Sequence, residues 1–293
     1  MNLGSQTRRW TLFGLWLIGS VVVSWNAVQS LLRYSLGNDD ASHTLLIPII
    51  SACLIYLDRK QIFRQHSYGV GVFAFPLLLG AIFLFGSSRS SPPSPSACAL
   101  GLALLWVAGF ALAFGSEALK RARFPLMFLL LFVPLPDALL DKVVYFLQKG
   151  SAELSALFFN LTPLPVLREG FVFHLPRFSI EVARECSGIR SSIALLVLAV
   201  LVGHFFLRGL WKQIVFVLAG IVVMIIKNGI RIVTLTLLAN YVDPGFLHGN
   251  LHREGGVVFF VIGLLLLLPV FWFLQRGENP ADSPGVKVTA EAL

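Results

Sequence analysis

The sequence predicts an all-α polytopic membrane protein of about eight transmembrane helices with a small extracytoplasmic β-hairpin. Three observations carry this. Of 293 residues, 56% are hydrophobic and only 13% charged, against roughly 45–50% and about 25% in soluble domains. Apolar stretches near bilayer length recur from end to end. The basic residues gather at the ends of those stretches. So little polar surface cannot coat a water-soluble globule. The same composition excludes a disordered chain, a coiled coil and a disulfide scaffold.

The first span is expected from about Trp10 to Leu32, behind Arg8 and Arg9. It is long for a signal-peptide core, lacks a small-x-small cleavage pattern and is followed by further spans. The second, Thr44 to Leu57, is short and must begin in the preceding loop or tilt. A basic loop, Asp58 to Arg64, leads to a third span at Gly69 to Gly86. The Ser/Pro-rich turn Ser87 to Ser96 precedes a fourth at Ala97 to Gly115. After Lys120-Arg-Ala-Arg123, Phe124 to Leu135 is a fifth apolar run flanked by prolines.

Residues Asp137 to Asn160 mix apolar positions with Asp141, Lys142, Lys149 and Glu153, the pattern of an amphipathic interfacial helix. Thr162 to Ala183 read as the hairpin, with β-rich runs around Val166–Gly170, Phe171–Leu175 and Phe178–Val182. The sixth span runs from Ile189 to Phe206. The seventh runs from Ile214 to Leu238, with an expected break at Lys227-Asn-Gly229. The eighth covers Val257 to about Leu274.

The net charge of +8 is explained by positive-inside anchoring, without nucleic acid as a partner. With Arg8 and Arg9 cytoplasmic, strict alternation places Arg59/Lys60/Arg64, Lys120/Arg121/Arg123, Arg208/Lys212 and Arg276 on the same side. The hairpin, Cys186, the Lys227–Arg231 segment and the Asn240–Gly256 loop then share the opposite face.

Three cysteines, Cys53, Cys98 and Cys186, form no CxxC pair. Cys53 and Cys98 lie in apolar runs and read as small packing residues. Cys186 stands among Arg184, Glu185, Ser187 and Arg190 at the start of a helix, with Ser187 as a candidate N-cap. The positive end of a helix favours thiolate over thiol. Nucleophile and structural helix-start cysteine both fit this spacing. Arg231, deep in apolar sequence, fits a site that stabilises an oxyanion or an interfacial anchor; for Lys227 the snorkelling anchor is the expectation. His248 and His252 are spaced i, i+4, but Gly249 replaces the Glu of HExxH, so no metal site is expected. Either histidine suits acid/base work for a thiol, because amide cleavage needs a protonated leaving amine. His43, His174 and His204 read as ordinary interfacial hydrogen-bonding residues.

Several of these residues form ordered motifs. Cys186-Ser-Gly-Ile-Arg190, Asn228-Gly-Ile-Arg231 and His252-Arg-Glu-Gly-Gly256 occur in series, supported by Ser42-His-Thr-Leu-Leu-Ile-Pro48, Val133-Pro-Leu-Pro136 and Arg168-Glu-Gly170. The set resembles the exosortase/archaeosortase family of membrane-embedded cysteine transpeptidase-like proteases, over about residues 40 to 270. The resemblance implies a Cys–Arg–His constellation carried by Cys186, Arg231 and His252, the H-x-x-x-G register favouring His252 over His248. It departs from the family at Glu185, where a small residue is expected before the cysteine.

The resulting expectation is a single integral-membrane domain over 1–276, with the hairpin at about 162–183, a catalytic half at about 184–275 and a polar tail at 277–293. The resemblance implies a sorting protease or transpeptidase acting through a cysteine thioester. Its implied partners are membrane-anchored proteins carrying C-terminal sorting signals: a Pro-Glu-Pro-type motif, one transmembrane helix and a basic tail. It further implies a link to surface polysaccharide. No cofactor or metal is expected. The protein is placed in the plasma (inner) membrane with its active site on the extracytoplasmic face. A multispanning transporter or channel is the alternative, favoured by a broken seventh helix around an intramembrane arginine.

Overall fold

The computed structural model describes residues 3–38, 41, 43–64, 73–87, 94–183, 189–247 and 256–276. They fall into two compact units, Met1–Pro136 and Asp137–Leu293.

In the first unit the expected first span is two helices, α1 (Leu3–Val23) and α2 (Trp25–Gly37), which meet at 78°. The bend follows from serine. Ser20 Oγ donates to Leu17 O at 2.7 Å and Ser24 Oγ to Ser20 O, and such back-bonding bends helices. Trp106 Nε1 then donates to Ser20 Oγ at 3.0 Å. Next come α3 (Leu46–Leu57), α4 (Arg59–Ile62) and α5 (Ala74–Ser87).

Helix α6 (Pro95–Arg121) starts with proline in its first turn, where no N–H is needed. It outruns the expected span because the chain turns at Gly115, φ 84°, and resumes the helix to Arg121. A side chain at that φ would be strained. Close packing of α1 on α6 rests on Gly109, where a Cβ would lie 2.2 Å from Trp16 Cδ1. Phe13 packs edge-to-face on Phe110 and Phe114 beside them, and Phe114 meets Phe63 and Phe110 in tilted pairs. The fifth apolar run is a short α7 (Arg123–Phe128) and a 3-10 turn, Leu129–Phe132. Ser51 Oγ ties α3 to this stretch through Pro125 O at 2.8 Å. Cys98 is buried as expected, but Cys53 is exposed on α3.

The second unit opens with α8 (Asp137–Phe159). The expected hairpin is a three-stranded antiparallel sheet in the order β1 (Leu167–Glu169), β2 (Val172–His174), β3 (Ser179–Glu181). The third strand was in the pattern as Phe178–Val182; Leu175 N to Phe178 O and Val182 N to Phe171 O close it onto β2. Helices α9 (Ile189–Phe206), α10 (Leu210–Tyr241) and α11 (Gly256–Gln275) complete the unit.

By length and composition, three of the described helices can cross a membrane: α6, α10 and α11. The number rises to five if two pairs of consecutive helices each make one span. Helices α3, α5 and α9 are apolar but shorter, and at 1.5 Å per residue a helix of 12–18 residues falls short of a hydrocarbon core about 30 Å thick. Length, rather than composition, separates this count from the eight expected.

Candidate active site

Helices α9, α10 and α11 form an antiparallel set, and their register follows from named contacts. Between α9 and α10 the chain turns at Gly209, φ 81°, where Gln213 Nε2 satisfies Leu207 O at 3.0 Å. Leu195, Ala199, Leu207, Phe216, Val223, Met224, Leu267 and Leu274 make the shared core. Phe271 of α11 meets both Phe206 of α9 and Phe216 of α10. Toward the other end, Lys227 of α10 meets Ser191 of α9 and Gly263 of α11. Arg208, Lys212 and Arg276 therefore lie at one end of the three helices. Ile189 and Gly256, from which the chain leaves toward Cys186 and His252, lie at the other.

The Lys227 expectation is corrected here. The side chain does not snorkel: it is 1% exposed. Its stem packs along α11 at Gly263, where a Cβ would touch Lys227 Cδ and Leu195 Cδ2 alike at 3.4 Å. The ammonium donates to Ser191 Oγ at 2.5 Å. Charge buried among apolar helices is costly, so its hydrogen bond matters.

The expected break at Lys227-Asn-Gly229 is also absent, because α10 is helical throughout Leu210–Tyr241. Gly229 is a packing glycine instead of a hinge. A Cβ there would be 3.1 Å from Leu154 Cβ and 3.6 Å from Ser155 N on α8. Asn228 is 1% exposed and donates from Nδ2 to Ser151 Oγ at 2.9 Å. Small and hydroxyl residues at a helix contact let two backbones approach and hydrogen-bond across it, the usual solution in membranes. Gly150 makes the same approach to Ile225.

Arg231 is half-buried on α10, one turn beyond Lys227 and so on nearly the same face. Two cations one turn apart on an apolar helix repel one another, which favours an anionic or polar occupant beside them.

The sheet covers the part of α10 past the start of α9. Phe173, Leu175 and Val182 pack with Ile232 and Val233 of α10 and with Ala152 and Phe159 of α8. Gln148 Nε2 donates to Val182 O at 2.5 Å, and Arg177 Nη1 to Asn240 O at 3.1 Å. Arg168 forks onto both Glu153 oxygens at 2.9 Å and donates from Nε to Gly170 O at 2.8 Å. That hydrogen bond with Glu153 raises the guanidinium's proton affinity above its ordinary value. The Arg168-Glu-Gly170 motif therefore serves the sheet's attachment, with Gly170 at φ 63° in the β1–β2 turn. His174 Nδ1 pairs with Ser179 Oγ at 2.9 Å, an ordinary contact.

Of the expected site residues, the structure describes Arg231 and its neighbours Lys227, Asn228 and Gly229. Cys186, His252 and the competing His248 lie outside the described residues, as do Arg184, Glu185, Ser187 and Glu254. Val182 and Ile189 bracket Cys186; Leu247 and Gly256 bracket both histidines. The sequence reading missed Ser151, Ser191 and Gly263. Their signal was small or hydroxyl residues at helical positions facing the polar residues of α10, visible only once helix pairing is known.

These features define a helical integral-membrane protein with a polar junction at one end of a three-helix set, roofed by a small sheet. The chain belongs to the transmembrane exosortase family, whose sequence profile matches residues 25–269. Membership suggests a membrane sorting protease. Neither a curated protein nor a solved structure matches the chain.

Proposed function

We propose that the protein cleaves the C-terminal sorting tail of exported, membrane-anchored proteins, with Cys186 as nucleophile, Arg231 as oxyanion or substrate-carbonyl partner and His252 as acid/base. The Cys186 thiolate attacks the substrate carbonyl, the carbonyl carbon bonds to sulfur and the amine leaves with a proton from His252, giving a thioester. Water or an acceptor amine resolves it. Family membership supports the reaction class. The observation that carries the residue assignment is Lys227, which ties α9 at Ser191 and α11 at Gly263 to the turn of α10 before Arg231. The helices that lead to Cys186 and His252 thus start at the end of the set where Arg231 lies.

The sidedness follows the same register. Arg208, Lys212 and Arg276, with Trp211 and Trp272 next to Lys212 and Arg276, suit a cytoplasmic interface. The site end then faces outward across the inner membrane. The eight proposed spans are the three long helices, the α1–α2 pair, the apolar run of α7 and the three shorter apolar helices, with α8 lying at the interface. The transporter alternative loses the broken seventh helix on which it rested. The substrate tail proposed is a Pro-Glu-Pro-type motif with a transmembrane helix and basic end, and a link to surface polysaccharide belongs to the same proposal.

Co-expression with a tail-bearing precursor tests the function. Wild type should shorten the precursor and Cys186→Ala should leave it full-length. Equal processing by both proteins would sink the nucleophile.

A further inference from the structure

Lys227 is the one cation of α10 that is fully buried, and the chemistry above does not use it. Its surroundings are unusual for a lysine. The stem lies on Gly263 of α11, with Cδ 3.4 Å and Cγ 3.8 Å from the position a Cβ would take. The ammonium reaches Ser191 in the first turns of α9. Among the described residues no carboxylate forms an ion pair with it. Its side chain is 1% exposed. A leucine would fill the same space at lower cost in an apolar helix set.

What the amine supplies is register. A hydrogen bond from the end of a four-carbon stem to one hydroxyl holds only when α9 stands at one height along α10. The same stem packs against α11 at Gly263. Hydrophobic packing alone permits sliding by small steps, because Leu, Val and Ala faces resemble one another; a polar contact between buried groups penalises every other register.

We propose that Lys227 is a positioning residue for the cleavage reaction. It locks the start of α9, and α11 at Gly263, against the turn of α10 before Arg231, at the end of the set from which the chain leaves toward Cys186 and His252. This rests on the active-site reading given above. It assigns Lys227 and Ser191 a shared role.

The test is a double-mutant cycle on the full-length protein in membranes, with Lys227→Met and Ser191→Ala alone and together. Lys227→Met keeps the stem and removes the donor; Ser191→Ala removes one hydroxyl and leaves the helix intact. Each single variant should lower kcat for precursor cleavage about 10- to 100-fold with KM changed by less than about threefold, as expected for misplaced groups. The double variant should be no slower than Lys227→Met alone, because the two act through one contact. Membrane level and melting temperature are read for every variant. If Lys227→Met fails to accumulate, Ser191→Ala still decides. Normal kcat in Ser191→Ala, or losses that multiply in the double variant, overturns the proposal. Cys186→Ala is run beside them. If it cleaves normally the active-site reading falls; if it is dead while Ser191→Ala and Lys227→Met cleave normally, only the positioning role falls.

Discussion

Arg231 and its two neighbours show how differently adjacent polar residues are used on one helix. Asn228 faces α8 and spends its amide on Ser151, Lys227 faces α9 and α11, and Arg231 is left half-buried one turn on. A guanidinium presents a rigid fork to an oxygen, which an ammonium does not. Arg231→Lys should therefore retain membrane level but lose cleavage by about 10²-fold, the scale for removing one oxyanion donor, in a precursor-cleavage time course. The histidine is decided in the same assay. His252→Ala should abolish cleavage while His248→Ala cleaves at a rate near wild type; the reverse result would move the acid/base to His248. The motif residues were legible in sequence because each is a polar exception in an apolar run. Lys227 was misread for a related reason: a lysine in such a run snorkels unless something within reach accepts its proton, and Ser191 is 36 residues away in the chain.

At the scale of elements, α10 is the protein's organising helix, and glycine sets its distance from α8. The segment Lys227-Asn-Gly229 reads as a break on propensity, since glycine and asparagine are poor helix formers. Tertiary packing overrides that preference. Gly229 lets α8 come within contact of the α10 backbone, and Asn228 Nδ2 donates to Ser151 Oγ across the same contact. Gly229→Leu should cost about 1–3 kcal/mol through overpacking, seen as a lower melting temperature in detergent. Gly19→Leu, on an exposed face of α1 with open space around it, should leave the melting temperature unchanged. Equal loss at both positions would contradict the packing role. The bend between α1 and α2 was beyond the sequence reading for the opposite reason. Nothing in hydropathy separates Ser20 and Ser24 from other small residues, and their hydroxyls act on the backbone only within a formed helix.

For the whole molecule, the amphipathic and apolar patterns gave the helical class, the exposed sheet segment and the order of elements in the second unit. What hydropathy left open was the number of spans, because α3, α5 and α9 are apolar over too few residues to fix a crossing by length. The charge pattern went further than the length pattern. Arg208, Lys212 and Arg276 were assigned to one side by alternation, and the contacts of Phe271 and Lys227 put them at one end of a packed three-helix set. The site was legible as three separate motifs. That α9 and α11 begin at the Arg231 end of the set required the register, which depends on pairing between segments far apart in the chain.

The central claim is that a thiol of this membrane protein takes the acyl group of a protein substrate. Wild-type protein in lipid nanodiscs, mixed with a tail-bearing precursor and quenched in acid, tests it by mass spectrometry of the peptide containing Cys186. The account predicts that this peptide carries the substrate's new C-terminus as a hydroxylamine-labile adduct, absent from Cys186→Ala. Cleaved precursor with an unmodified Cys186 peptide at every quench time, and equal cleavage by Cys186→Ala, would contradict it.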